Sequence, residues 1–334
     1  MRIAVIGAGA IGGLVASYLK NKGENVSLVG HADAVRAIQE RGLWIQGARG
    51  NFNIKIEVYD KLGFTPELVI LATKTQDIDA ALKDNLKFIQ GATILTTQNG
   101  IRADGIVAGY IRRENIISSI VMFGATCLSP GEIVHNFEGS WIIARAFAKN
   151  DARIIEVSRV LNQVFPTIVA EDLKGMKCLK IFVNANNCIT AILGKSMQES
   201  FLDVGVSRIS IAIWKEGLKI ANKAGLNLSS LPDFPLERLL KLTSLPTPEA
   251  ARIFSEIMTN LSKEPLYGSI LQSIKRGKAS EIDYINGEFV RLAKENNLRA
   301  PLNEKLSEMV HQVETSGKFF TKEELLKNIE GLVD

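Results

Sequence analysis

Long hydrophobic runs are missing from this sequence of 334 residues. No stretch approaches the ~18 consecutive apolar residues of a spanning helix, so a membrane protein is not expected. Cysteine is scarce. The three present, Cys127, Cys178 and Cys188, have apolar neighbours and no CxxC spacing. That excludes a disulfide framework and a zinc pattern, and it points to a reducing, cytoplasmic setting. Histidine is as rare, with His31, His135 and His311 far apart, so a multi-histidine metal site is not expected. Charge of one sign is also lacking: 40 Lys/Arg against 36 Asp/Glu leave a net charge of +4. No basic stripe is interleaved with aromatics, so nucleic acid is not an expected partner, whereas a small anion fits equally well. The N-terminus has no long apolar segment with a small-residue cleavage site, and no signal peptide is expected. What remains is 46% apolar and 23% charged, a globular mix long enough for about two domains of ~150 residues.

Two textures divide the chain. In the first half, short apolar runs (Arg2–Ile6, Asn25–Val29, Glu67–Thr73, Thr93–Thr97) alternate with helical patterns (Ile11–Lys22, Ala34–Arg41, Asp77–Phe88). Strands alternating with helices predict βαβ units and a parallel sheet. Leu43–Val58 and Ile116–Ala146, the latter turning at Ser129-Pro130-Gly131, read as antiparallel hairpins or edge strands. After about Thr167 strand-like runs nearly vanish. Lys177–Leu193, Val206–Ala224, Glu249–Thr259, Gly268–Arg276, Glu281–Asn296 and Asn303–Thr315 read as helices, and Ser229–Pro248, with four prolines, as a long irregular connection. The boundary falls near Ala170, giving an α/β domain over 1–170 and a helical domain over 171–334.

Gly7-Ala8-Gly9-Ala10-Ile11-Gly12 matches G-x-G-x-x-G between an apolar strand and an amphipathic helix. Gly7 suits a tight turn, Gly9 lets the backbone approach a pyrophosphate, and Gly12 permits close helix–strand packing. The helix N-terminus then offers N–H groups and a positive dipole end to phosphates. A structural glycine turn is the plainer alternative. The second strand ends Ser27-Leu28-Val29-Gly30-His31 with no carboxylate at its tip. That removes the usual ribose ligand of NAD sites and favours the 2′-phosphate of NADPH, to which His31 can donate. His31 reads equally as a solvated loop histidine. Lys74 follows a strand's C-terminal end, where ligands of open α/β sheets gather, although a loop lysine is ordinarily just solvated.

The run Leu179–Ala191 is mostly apolar, yet Lys180, Asn184 and Asn187 fall at i, i+4 and i+7, on one helix face within about 40°. A desolvated lysine loses basicity and becomes a usable general acid near neutral pH. Two amides beside it suit a small polyhydroxy substrate; a solvent-facing polar stripe is the other reading. Further on, Ser280 is placed to cap a helix starting at Glu281, with Asp283 completing an S-x-x-D box. On composition alone, Glu281 and Ser269 are ordinary first-turn helix residues.

Four features together resemble the ketopantoate reductase (2-dehydropantoate 2-reductase) family: the Gly7–Gly12 motif, Gln98-Asn99-Gly100, Lys180-x-x-x-Asn184, and Ser280-Glu281-Ile282-Asp283-Tyr284-Ile285-Asn286-Gly287. Ser269-Ile270-Leu271-Gln272 and Ala300-Pro301-Leu302-Asn303 flank the last. The resemblance covers nearly the whole chain. It implies an α/β fold: a Rossmann-like doubly wound domain followed by an all-helical domain like the C-terminal part of 6-phosphogluconate dehydrogenase. It also implies hydride transfer from NADPH to the 2-oxo group of ketopantoate, giving pantoate for coenzyme A synthesis. Lys180 matches the family's general acid, and Glu281 the carboxylate that supports it and the substrate and that belongs with the cofactor contacts. Asn99 matches the amide between nicotinamide and substrate. Asn184, with Asn187 beside it, matches a ligand of the substrate hydroxyl, Ser269 a ligand of its carboxylate, and Lys74 the lysine near the 2′-phosphate. The glycine-turn residues Gly7, Ala8, Gly9, Ala10, Ile11 and Gly12 match the pyrophosphate loop.

Departures from the family pattern are local. His31 stands where the family usually has Arg. The second helix asparagine is seven residues after the lysine rather than eight, Cys188 occupies the eighth, and no proline follows. Extra length lies around Ser229–Pro248. A reductase of a different, bulkier 2-oxo acid and a non-catalytic NADPH-binding sensor are the rival readings. A homodimer is compatible with the apolar helical half.

Overall fold

The chain divides into two units, Met1–Leu173 and Lys174–Asp334, in a computed structural model that describes residues 1–262 and 264–333. The first holds strands β1 (Arg2–Ile6), β2 (Asn25–Val29), β3 (Leu43–Gly47), β4 (Phe52–Ile54), β5 (Glu57–Tyr59), β6 (Leu68–Leu71), β7 (Thr93–Thr96), β8 (Ile116–Val121), β9 (Gly124–Ser129), β10 (Glu132–Phe137), β11 (Trp141–Arg145) and β12 (Thr167–Val169). Its helices are α1 (Ala10–Asn21), α2 (Ala32–Arg41), α3 (Ile78–Ile89), α4 (Ala103–Val107) and α5 (Ala152–Leu161).

Eight strands form the main sheet in the order β12-β11-β8-β7-β6-β1-β2-β5, parallel from β8 to β5. The continuous apolar runs explain this. Residues of β6, β7 and β8 are buried throughout, as strands covered on both faces must be. Along β1 the faces alternate: Ile3 and Val5 pack with Leu14 and Leu19 of α1 and Ile154 and Val157 of α5. Ala4 and Ile6 pack with Ile78, Leu82 and Ile89 of α3. Helices on both faces make the sheet doubly wound, as the sequence predicts. The chain order reverses between β1 and β6, so the C-terminal ends of those strands flank the switch point where such sheets bind ligands.

The two expected hairpin regions are more divided than their sequence suggests. In Leu43–Val58, β3 and β4 pair antiparallel, but β5 joins the main sheet parallel to β2. In Ile116–Ala146, β9 and β10 form the hairpin turning at Ser129-Pro130-Gly131, while β8 and β11 pair with each other in the main sheet. Burial sorts them: β8 is buried throughout and β11 over Trp141–Ala144, whereas β10 alternates, with Ile133 and His135 inward. The second sheet, β4-β3-β10-β9, lies against α1.

The second unit is helical: α6 (Leu173–Ala185), α7 (Asn187–Leu193), α8 (Met197–Phe201), α9 (Val204–Lys223), α10 (Leu236–Ser244), α11 (Thr247–Thr259), α12 (Ser269–Lys275), α13 (Asn286–Glu295), α14 (Pro301–Ser316) and α15 (Lys322–Asn328). Among the described residues, no helix is long and apolar enough to cross a membrane. Helix α9 carries the core residues Ile209, Ile213, Trp214 and Ile220. The Phe182 and Phe289 rings meet edge to face at 4.9 Å, and Trp214 Nε1 donates to the Phe182 carbonyl at 2.8 Å.

Three expectations need correction here. The single helix over Lys177–Leu193 is two, broken at Asn186. Two successive asparagines favour local side-chain bonding over helix, and Asn286 Nδ2 takes up the Ala185 carbonyl at 3.1 Å. The helix expected over Glu281–Asn296 starts only at Asn286, after a 3-10 turn over Ile282–Tyr284. Ser280 does not open it: its hydroxyl accepts from Ile282 N at 3.2 Å, inside that turn. Ser229–Pro248 contains α10, whose Leu239 and Leu242 are buried. Its prolines interrupt nothing, because Pro235 and Pro246 precede helices and Pro248 lies in a first turn, where a missing N–H costs no bond.

Candidate active site

In the first unit the site begins where β1 runs into α1. Gly7 has φ +115°, and a Cβ there would lie 2.6 Å from the Ala72 carbonyl carbon. A Cβ at Gly12 would lie 1.9 Å from the Gly7 carbonyl oxygen, so the helix can sit this close only without one. Gly9 differs: nothing lies within 4 Å of its would-be Cβ. It precedes α1 with no side chain capping the helix. The helix start is thus left without a side-chain cap or an acidic residue at the positive end of its dipole. This cradle fits the pyrophosphate of a dinucleotide.

Neighbouring strand ends bring the other candidates to the same sheet edge. Gly7 N donates to Val29 O at 2.8 Å and Ala72 N to Ile6 O at 2.7 Å, which levels the ends of β1, β2 and β6. His31 follows β2, is exposed, and precedes α2 without capping it through its side chain. Lys74 follows β6, half-buried, at the start of the turn Thr75–Asp77. Asn99 follows β7, half-buried, ahead of Gly100 with φ +80°. Gln98 ties these ends together: its amide donates to Leu71 O and Thr73 O, both at 2.9 Å, while its carbonyl accepts from Thr97 N. The side chain is buried, so it holds the loops bearing Lys74 and Asn99 and does not reach outward. Sequence reading quotes Gln98 within a motif but gives it no role.

In the second unit Lys180 and Asn184 lie one turn apart on α6, both partly exposed. Burial pulls the Lys180 ammonium down to about 8; the positive charge of Lys177 adds to this and the Glu281 carboxylate opposes it. Lys180, Lys177 and Glu281 thus form one electrostatic group. Lys177 is the residue that sequence reasoning missed: it is only 4% exposed, three positions before Lys180 on the same helix. Its spacing of i, i+3 to Lys180 is visible in the sequence, but its burial is not.

Asn187 belongs to the next helix, beyond the break. It is buried, and a Cβ on Gly268 would lie 2.9 Å from its Cγ, so Asn187 stands beside the exposed Ser269 at the start of α12. The structure sets Lys180 within reach of the Glu281 charge, and Asn187 against Gly268, the residue before Ser269. Cys188 points elsewhere, into a buried polar cluster: Asn286 Nδ2 lies 3.6 Å from its Sγ and donates to Asn303 Oδ1 at 3.0 Å. Burial pushes the Cys188 thiol up to about 12, so it stays protonated and unreactive. Asn303 in turn donates to Glu216 at 2.8 Å, which pins α13 and α14 to α9.

Glu281 is half-buried immediately before the 3-10 turn. The turn is fastened to α14. Glu314 accepts from Ser280 N at 2.6 Å, and the His311 ring bridges Glu314 Oε2 at 2.9 Å and Asp283 Oδ1 at 3.0 Å.

Comparison with known proteins identifies the family. Family models described as "Ketopantoate reductase PanE/ApbA" and "Ketopantoate reductase PanE/ApbA C terminal" match residues 3–146 and 172–314. The chain is similar to a 2-dehydropantoate 2-reductase of Pyrococcus horikoshii, 34% identical over 324 residues covering 95% of this chain and 99% of that one. Its fold resembles D-mandelate dehydrogenase solved with NADH and anilino(oxo)acetate (TM-score 0.81, 25% identity, 95% and 99% of the chains covered). It also resembles a PanE/ApbA family ketopantoate reductase from Ralstonia eutropha (TM-score 0.79, 22% identity, 95% and 99% covered).

Proposed function

We infer the function of this chain from the family to which it belongs, that of the ketopantoate reductases: it is an NADP-dependent oxidoreductase, and we propose that it reduces 2-dehydropantoate to (R)-pantoate for pantothenate and coenzyme A synthesis. The observation that carries the reading is Lys180, a lysine pulled down to about 8 and coupled to Glu281, one helical turn from Asn184. A group with that acidity is still largely protonated at neutral pH and gives up its proton readily.

The glycine turn Gly7–Gly12 would hold the cofactor's pyrophosphate, His31 and Lys74 its 2′-phosphate, and Asn99 its nicotinamide end. Bound NADPH supplies the hydride that reduces the 2-oxo carbon. As the carbonyl π pair moves onto oxygen, Lys180 Nζ donates a proton to it, leaving a hydroxyl on the product and a neutral amine that solvent reprotonates. Glu281 opposes the repulsion between Lys180 and Lys177 and so keeps enough of the amine charged at neutral pH. Asn184 and Asn187 hold the substrate's hydroxyl end, and Ser269 its carboxylate. The three cysteines are free thiols, which suits the reducing cytoplasm we assign to the protein.

A second reading keeps the chemistry and changes the acid. Asn187 lies beyond a helix break and Cys188 contacts Asn286 in a buried polar cluster, so this end of the site differs from the family pattern. The likeness to D-mandelate dehydrogenase favours a bulkier 2-oxo acid as that alternative. NADPH oxidation by the purified protein with ketopantoate, beside a panel of other 2-oxo acids, decides between them. Selective turnover of ketopantoate supports the first reading; preference for a bulkier acid replaces it with the second. NADPH binding without turnover of any acid would contradict both.

A further inference from the structure

His311 lies outside the residues assigned to catalysis, yet it is wired to them. Both its ring nitrogens meet a carboxylate oxygen: Nδ1 at 2.9 Å from Glu314 Oε2, Nε2 at 3.0 Å from Asp283 Oδ1. A neutral imidazole has one N–H and one lone pair, so it satisfies only one of these contacts and repels the other; only the imidazolium donates to both. Asp283 belongs to the turn that follows Glu281. Glu314, on the ring's own helix α14, also accepts from Ser280 N at 2.6 Å, just ahead of Glu281. The cation therefore closes a ring of contacts around the residue before Glu281 and the second residue after it. The charged groups that act on the imidazole are Asp283 and Glu314, while Glu281 itself acts on Lys180, with Lys177 one turn away.

We propose that His311 is a positioning residue for Glu281: as an imidazolium it bridges Asp283 and Glu314, fixes the turn Ser280–Tyr284 against α14, and so sets how Glu281 meets Lys180. This rests on the reading of Glu281 as the support of the proton donor. The surroundings agree, because the two carboxylates raise the His311 pKa against the effect of burial, and Glu314 is lowered by its bonds to Ser280 and His311. The raised value keeps the clamp closed below the ordinary histidine range and opens it as pH rises through the folded-state value. Opening loosens Glu281 without removing it, so part of the activity is lost, whereas deprotonation of Lys180 removes all of it.

The test compares kcat and kcat/KM against pH for the intact protein and for His311→Gln, His311→Lys and Glu281→Gln, with NADPH and the acid turned over fastest. Lysine keeps a cation between the carboxylates and does not titrate in this range. We expect wild type to show a partial fall as His311 loses its proton, above the ordinary histidine range, distinct from the complete fall that follows Lys180. His311→Gln should lie about three- to tenfold below wild type at pH 6.5, without the partial fall. His311→Lys should restore most of the activity and also lack that fall. An unchanged His311→Gln profile beside an impaired Glu281→Gln would overturn the inference while leaving the reading of Glu281 intact. Wild-type activity in Glu281→Gln would overturn that reading itself. A loss in His311→Gln that is equal at every pH and that lysine does not restore would make the role merely structural and also overturn the proposal.

Discussion

In Met1–Leu173 the candidate cofactor site is made of backbone: a glycine turn at φ +115°, a helix start without a side-chain cap, and strand ends levelled by main-chain hydrogen bonds. In Lys174–Asp334 the candidate catalytic group is made of side chains from separate segments, Lys177 and Lys180 from α6 and Glu281 from just ahead of a 3-10 turn about a hundred residues later. Backbone sites depend on which residues permit a conformation, so they tolerate no added atom at a few positions. Side-chain sites depend on burial and charge, so they can lose one function and keep their fold. The two halves should therefore break differently.

The largest effect belongs to the catalytic half. Lys180→Ala is expected to cut kcat by about 10²–10⁴ in steady-state NADPH oxidation, the usual size of general acid catalysis, with the NADPH dissociation constant nearly unchanged. A collapse of NADPH binding would instead make Lys180 a cofactor ligand. Gly12→Ala, with its Cβ 1.9 Å from the Gly7 oxygen, should do the reverse. It should lower stability by about 3 kcal/mol in denaturant unfolding and weaken NADPH binding by more than tenfold, because the helix start must move. Smaller still, His31→Arg should tighten NADPH by about three- to tenfold while leaving NADH unaltered, by bidentate contact with the 2′-phosphate. Equal tightening of both would remove His31 from that site.

What the sequence revealed follows the same divide. The doubly wound sheet and the cofactor loop were legible because their signals are local: Arg2–Ile6, then G-x-G-x-x-G, then an amphipathic run, all within thirty residues. The stripe of Lys180 and Asn184 was legible for the same reason, as one helix face. Asn187 was harder, because the helix breaks at Asn186 and the bond that stabilises the break comes from Asn286, a hundred residues on. Lys177 was overlooked because nothing in a sequence distinguishes a buried lysine from a solvated one. The Ser280 cap was misread because the S-x-x-D spacing is satisfied locally, while the Ser280 N–H is claimed by Glu314 from α14. Likewise β5, β8 and β11 carry the right propensity, but which sheet they join is decided by distant partners.

Lys177 sharpens the contrast further. Replacing it with methionine removes a positive neighbour, so the acidity of Lys180 should weaken and the alkaline limb of kcat should move to higher pH with little change in NADPH affinity. An unmoved limb would mean that Lys177 has no part in setting Lys180.

The division of labour itself is tested most directly on the wild-type protein, by measuring kcat and the NADPH dissociation constant across the same range from pH 7 upward. Lys180 must carry its proton to act, and burial has pulled it down to about 8. The account therefore predicts that kcat falls away above about that pH while NADPH affinity stays flat. A flat kcat, or an NADPH affinity that falls in step with it, would contradict the assignment of Lys180 to the chemistry and the glycine turn to the cofactor.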